Sequence, residues 1–198
     1  MPDQLLLVSV GNTRTRAALV RDGQLEPSHV VHNQDMAALC RAVDDLGGPA
    51  EPGAARLPVL MASVNRPVSD AVEQHLRGAG RHVSRLGSGA GDLPIPIQHA
   101  LEDASTVGAD RLLDALGAYS RAKAACVVID AGTAITVDFV DGEGVFHGGA
   151  IAPGVHMMLS ALHEKTASLP RISLTEAGSE VAAASAAPFG RSTQQAML

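Results

Sequence analysis

The sequence predicts an α/β protein made of two similar half-domains, each a mixed five-stranded sheet with flanking helices. Three observations support this: short β-branched runs alternate with helical apolar patterns, a strand–turn–strand motif occurs twice, and 46% of the 198 residues are hydrophobic, enough for a sizeable core. The two copies of the motif lie 121 residues apart. We therefore expect half-domains at 1–109 and 110–198, linked by a helix over 110–123.

The first half begins with a predicted hairpin. Apolar residues 5–10 lead into the turn 11–16, and a second apolar run follows at 17–20. The remaining predicted elements are a helix over 36–46, a strand over 57–63, a helix from Arg66 to about Gly78 and a strand over 82–86. With a further short strand after the hairpin, the order β-β-β-α-β-α-β is typical of a ribonuclease-H-like half.

The second half repeats the opening. Strands are expected at 126–129 and 135–140, and a third near Val145 and Phe146 ending at Gly148–Gly149. The prolines within 93–97 require an extended chain there, because each one disfavours helix at the residue before it. We further expect helices over 155–165 and from 190–193 onward, with a mobile loop over 176–187.

The turn of the second motif has residues suited to phosphate. Gly132 leaves room for an oxygen to reach backbone N–H groups, Thr133 adds a hydroxyl donor, and Asp130 can hold a cation. An ordinary hairpin with a polar turn is the alternative. The first motif places Gly11 where the second has Gly132, and Ser9 where the second has Asp130. Two such hairpins facing a shared cleft would be the layout of the actin, hexokinase and Hsp70 ATPase group.

Asp110 lies where a new helical pattern begins. It is either an N-cap that accepts backbone N–H bonds or a carboxylate available for chemistry. Gly108 lets a ligand approach this turn, and Arg111 is either a bidentate carboxylate binder or a surface arginine.

Composition argues against several partners. The formal net charge is −6 and aromatic residues make up 2% of the chain, so a nucleic-acid surface is not expected. Cys40 and Cys126 form no C-x-x-C pair and are expected to be buried thiols in a reducing compartment. The first residues have neither a signal-peptide pattern nor a membrane span, so we expect a cytoplasmic protein.

Six short motifs follow one another along the chain. They are V-G-N-T at 10–13, G-A-D-R at 108–111, D-A-G-T-A at 130–134, G-G-A-I-A-P-G at 148–154, L-P-R at 169–171 and G-R-S-T at 190–193. In this order they resemble the type III pantothenate kinase family, also called the Bvg accessory factor family.

The resemblance implies ATP-dependent phosphorylation of pantothenate to 4′-phosphopantothenate, the first step of coenzyme A biosynthesis, by a homodimer. Asp110 would be the catalytic base, and Asp130 would bind a monovalent cation, K⁺ or NH₄⁺, with Mg²⁺ accompanying ATP. Pantothenate would contact Gly108, Ala109, Asp110, Arg111 and Thr193. ATP would contact Ser9, Val10, Gly11, Asn12, Thr13, Arg14, Thr15, Arg16, Gly132 and Thr133.

The sequence departs from the family pattern at three places. Ser9 replaces an Asp that would help to hold metal and triphosphate, and Leu101 replaces a substrate-contacting Tyr. The family has further helices after 190–193, so we expect a truncated second half. Two other functions fit the same residues: a catalytically weak relative with a nucleotide-binding or regulatory role, and another small-molecule kinase of the same fold.

Overall fold

The computed structural model describes residues 4–48, 57–173 and 189–197. The first hairpin forms as expected from its alternating apolar residues: strands β1 (Gln4–Val10) and β2 (Arg14–Arg21) pair antiparallel, with Val10 opposite Thr15. Every second side chain of β1 points into the core, where Leu6, Val8 and Val10 are buried.

The first sheet adds four strands to this hairpin. They are β3 (Gln24–Leu25), β4 (His29–His32), β5 (Val59–Ser63) and β6 (Val83–Leu86). The order is β3-β2-β1-β5-β6, and β4 also pairs with β2. Because β5 lies parallel to both β1 and β6, helices connect these strands.

Two helices pack on the first sheet. Helix α1 (Met36–Gly47) is capped by the Asp35 side chain, and helix α2 (Arg66–Gly78) is capped by Asn65 with a proline in its first turn. Their apolar faces join the β1–β5 core, since Leu39, Val43, Val72 and Leu76 are fully buried. Both helices match the sequence prediction within a residue.

The second sheet has the order β7-β10-β9-β8. Its strands are β7 (Gln98–His99), β8 (Cys126–Ala131), β9 (Ala134–Val140) and β10 (Val145–Pro153). Helix α3 (Ala109–Ala122) contributes Leu112 and Ala115 to a second core with Val140 and Phe146. Helices α4 (Val155–Lys165) and α5 (Thr193–Met197) follow.

The α/β class with mixed sheets and flanking helices is confirmed, but the strand numbers differ from five and five. The first sheet has six strands and the second has four among the described residues. The prediction for the first half had only one short strand where the structure has two, β3 and β4. These strands have two and four residues, too few to show periodicity.

The third strand of the second motif was predicted too short. Strand β10 continues to Pro153 through Gly148, whose φ of +80° is a value that glycine adopts readily. The predicted loop over 176–187 lies outside the described residues.

The chain forms two compact units, one of residues 1–128 with 138–148 and the other of 129–137 with 149–198. The half-domain boundary at 109 and 110 stays a prediction. Cys40 and Cys126 are unbridged and only half-buried, not fully buried as expected. None of the helices in the described part of the chain is long and apolar enough to cross a membrane.

Candidate active site

The turn of the first hairpin leaves most of its predicted ligand residues exposed. Ser9, Asn12, Thr13, Arg14 and Arg16 are solvent-exposed, and Gly11 closes the turn by donating its N–H to Arg14 O at 3.0 Å. The side chains of Val10 and Thr15 are buried. These two residues can therefore offer a ligand only their backbone.

Two asparagines outside the sequence motifs hold this turn. The Asn33 side-chain amide donates to Gly11 O at 2.8 Å and to Asn12 O at 3.1 Å, and its backbone N–H donates to Thr13 O at 3.0 Å. Asn65 adds a bond from Nδ2 to Asn12 O at 3.2 Å. Asn65 was visible in the sequence only as the start of a helix, and Asn33 carried no local signal.

Helix α3 begins one residue before the predicted start, and this changes the position of Asp110. Gly108 occupies the N-cap position and Asp110 is the second helical residue, so the interpretation of Asp110 as N-cap is wrong. Its half-buried carboxylate accepts the N–H of Arg111 at 2.8 Å. A carboxylate in the first turn is still favoured by the helix dipole.

Gly108 fits closely against two side chains. A Cβ there would lie 2.5 Å from Asp110 Oδ1 and 3.2 Å from Val64 Cγ1. The start of α3 thus lies against Val64, whose N–H donates to Val10 O at 3.0 Å at the end of β1. The segment 63–65 therefore brings residues 108–111 and the first turn together.

Arg111 is neither a surface residue nor wholly available for a substrate. Its Nε donates to Asp138 Oδ2 at 3.0 Å and one terminal nitrogen donates to Asp138 Oδ1, while Asp138 is 2% exposed. The hydrogen bond to Asp138 raises the pKa of the Arg111 guanidinium above its ordinary value. A carboxylate on the buried face of an apolar strand was the sequence signal for this partner.

The second turn is built within the second unit, separately from the groups above. Gly132 donates its N–H to Ala134 O at 2.9 Å, and Gly154 donates to Thr133 O at 3.0 Å. A Cβ on Gly154 would lie 2.3 Å from Gly132 O and 2.5 Å from Thr133 O. The glycine that ends G-G-A-I-A-P-G therefore lets the start of α4 contact the D-A-G-T turn directly.

Asp130 is the next-to-last residue of β8, beside this turn, and is exposed. Within the described ranges no three His, Cys, Asp or Glu side chains cluster as a metal site. The donors around the turn are hard oxygens, from the Asp130 carboxylate and the turn carbonyls, which suit K⁺ or Mg²⁺. Mg²⁺ commonly takes one or two carboxylates and fills its shell with phosphate and water, so the residues fit such an ion.

Thr193 is the first residue of α5 and is exposed. The Ser192 side chain accepts the Gln195 N–H at 3.2 Å, and Gln195 accepts the Arg191 N–H at 2.9 Å. This arrangement resembles a capping box and fixes the start of α5.

A cavity of about 250 Å³ opens beside Ser63 and Val64, on the side of α2. Its two arginines already have partners: Arg66 lies 3.8 Å from Asp70, and Arg85 bonds to Asp70 and Glu73. None of the predicted site residues lines this cavity, and we assign it no ligand.

Glycine turns suited to phosphate and a carboxylate at a helix start, on an α/β fold with mixed sheets, are compatible with a phosphotransferase. A family model described as type III pantothenate kinase matches residues 5–198. A type III pantothenate kinase of Anaeromyxobacter sp. strain K is 35% identical over 186 residues, which span 89% of this chain and 70% of the relative. One of Rubrobacter xylanophilus is 29% identical, spanning 87% and 66%. The chain belongs to the type III pantothenate kinase family.

A solved structure supports the fold. A Campylobacter jejuni protein described as a Baf family transcriptional activator aligns with a TM-score of 0.53 and 18% identity, covering 98% of this chain and 71% of that one. The predicted family, and with it the enzyme class and the reaction of pantothenate with ATP, is confirmed.

Proposed function

We propose that this chain itself transfers the γ-phosphoryl group of ATP to the hydroxyl group of pantothenate, with Asp110 as the general base. The observation that carries this is the start of α3, where a half-buried carboxylate lies next to a close-fitting glycine and, through Val64, to the first turn. In phosphoryl transfer the protein supplies mainly positioning and charge neutralisation, and a carboxylate can accept the hydroxyl proton as the oxygen attacks.

The other predicted residues take the remaining roles. Arg111, oriented by Asp138, contacts the pantothenate carboxylate through the donors that Asp138 does not use. The exposed residues of the first turn bind phosphate oxygens, and Gly132 and Thr133 contact ATP at the second turn. Asp130 holds the monovalent cation, and the cations neutralise phosphate charge when bound. Thr193 contacts pantothenate.

We also propose a homodimer in the cytoplasm, where ATP is available. The assembly follows from the family resemblance, and light scattering after gel filtration measures it. Exposed apolar side chains of the second unit, Ile151, Met157 and Met158, are compatible with a partner surface.

The base is tested by two substitutions at Asp110. Asp110→Asn keeps the side-chain oxygen that accepts the Arg111 N–H but cannot take a proton at neutral pH. We expect pantothenate-dependent ATP turnover to fall by roughly 10²–10⁴-fold with an almost unchanged melting temperature. Asp110→Ala should lose as much activity and also some stability, because it removes the side-chain oxygen that accepts the Arg111 N–H.

Glu102→Gln is the control, since it neutralises an exposed carboxylate nearby in the chain. Near-normal turnover of Asp110→Asn would exclude the base assignment and leave Asp130 as the next carboxylate to test. Ser9 favours one alternative, a nucleotide-binding relative without turnover. Wild-type protein that binds MgATP but shows no pantothenate-dependent turnover with K⁺ or NH₄⁺ would establish that alternative.

A further inference from the structure

Asn33 lies after β4, at a position that none of the motifs includes. Three consecutive carbonyls of the first turn, those of Gly11, Asn12 and Thr13, accept hydrogen bonds from its amide and its backbone N–H. Its side-chain oxygen accepts the hydroxyl of Thr15 at 2.8 Å, and Thr15 is fully buried. Both the oxygen and the nitrogen of the Asn33 side-chain amide therefore form hydrogen bonds with the first hairpin.

These bonds decide which way the peptide groups of the turn face. All the described peptide bonds are trans, so the C=O and the N–H of each peptide unit point in opposite directions. Since the carbonyls of residues 11–13 point toward Asn33, the N–H groups of residues 12–14 point away from it. Successive N–H groups that face the same way make a concave site for an anion.

We propose that Asn33 is a positioning residue for nucleotide binding: it turns the carbonyls of residues 11–13 aside, so that N–H groups of the turn face the phosphates of ATP. The inference rests on the proposed function, because it requires a triphosphate at this turn. Asn33 does not contact the nucleotide. It acts by keeping carbonyl oxygens, which would repel phosphate, directed toward itself.

The chain offers close comparisons for a test. Asn33→Asp keeps the size and the acceptor for Thr15, but replaces the donating amide by a carboxylate that faces two carbonyl oxygens. Asn33→Thr retains one donor and should be intermediate. Gln34→Ala is the control, because Gln34 is the exposed next residue.

The experiment measures the affinity of each protein for a non-hydrolysable ATP analogue with Mg²⁺, and separately for pantothenate, by calorimetry. We expect Asn33→Asp to weaken nucleotide binding by roughly tenfold or more, as the loss of two hydrogen bonds predicts. Pantothenate affinity should stay within about twofold, Asn33→Thr should recover part of the loss, and Gln34→Ala should match wild type. In the kinetics, KM for ATP should rise more than kcat falls.

Three results would overturn the inference. Equal nucleotide affinity for wild type and Asn33→Asp shows that the turn does not need Asn33. A parallel loss of nucleotide affinity, pantothenate affinity and melting temperature in both Asn33 variants shows a merely structural role. If wild-type protein binds no MgATP, the proposed function fails and this inference fails with it, which the wild-type titration alone reveals.

Discussion

In the first turn, residues 11–13, the carbonyl oxygens accept bonds mainly from Asn33 and Asn65, which come from other elements. In the second turn the backbone provides support: Gly154 donates its N–H to Thr133 O, and its Cα lies against the turn. The same strand–turn–strand motif is thus supported by side-chain amides in one unit and by a close glycine in the other.

The difference predicts how each turn fails. An amide can be removed by substitution without any steric conflict, so damage to the first turn should appear first as lost ligand affinity. A glycine in contact with backbone atoms cannot accept a Cβ, so damage to the second turn should appear first as lost stability.

The largest effect on stability is therefore expected for Gly154→Ala. The new Cβ would lie 2.3 Å from Gly132 O and 2.5 Å from Thr133 O, both backbone atoms that can move only with the turn. We expect a loss of roughly 1–3 kcal/mol in the free energy of unfolding, measured by chemical denaturation.

Two glycines provide controls for this prediction. Gly117→Ala, on an exposed helical position with nothing within 4 Å of the new Cβ, should stabilise by up to about 1 kcal/mol. Gly11→Ala, where the Cβ would lie 3.0 Å from Arg14 O, should cost less than Gly154→Ala. If Gly154→Ala unfolds like wild type, the backbone contact does not support the second turn.

A further difference between the two motifs, with a smaller expected effect, is that the first has Ser9 at the position where the second has Asp130. Ser9 is exposed and its Cα faces that of Arg16 across the hairpin. Ser9→Asp adds a hard oxygen ligand for Mg²⁺, and we expect MgATP affinity to rise by about tenfold, which corresponds to about 1.4 kcal/mol. Titration calorimetry measures it.

The neighbouring arginine allows this prediction to be sharpened. Arg16 can neutralise an Asp at position 9, as opposite charges on facing strands do. The gain from Ser9→Asp should therefore be larger when both proteins carry Arg16→Gln, a comparison in which the loss of the Arg16 phosphate contact is common to both. Ser9→Asn, which adds no charge, is the control. A Ser9→Asp protein that folds normally but binds MgATP more weakly would show that the site is arranged around serine.

The repeated hairpins, α1, α2 and α3 followed from sequence because each is a local pattern of apolar periodicity, capping residue and glycine turn. Contacts between residues far apart in the sequence could not be predicted in this way. Asn33 meets Gly11 because β4 pairs with β2, and Asp138 meets Arg111 because α3 and the end of β9 share the second core. Motif spacing indicated which residues carry chemistry, but not which residues hold them, since that depends on sheet pairing.

The smallest effect is expected at the turn between β9 and β10. This turn is supported by a side chain that titrates, so its support should depend on pH. Asp141 Oδ1 accepts the N–H groups of Glu143 and Val145, and Oδ2 lies 2.8 Å from His147 Nε2. The bond to His147, followed by the backbone bonds, holds the pKa of the Asp141 carboxyl below its ordinary value.

The sign of the pH effect follows from this lowered pKa. A carboxyl group whose folded-state pKa is depressed contributes its stability above the unfolded pKa, about 3.9 for Asp, and loses it as the pH falls through the folded value. We therefore expect the melting temperature to fall below about pH 4, with a small part of that fall absent in Asp141→Asn. Asn33 supports its turn through a neutral amide, so Asn33→Ala should change the melting temperature by the same amount at pH 4 and at pH 7. If Asp141→Asn follows the wild-type acid profile throughout, the carboxylate does not support the turn.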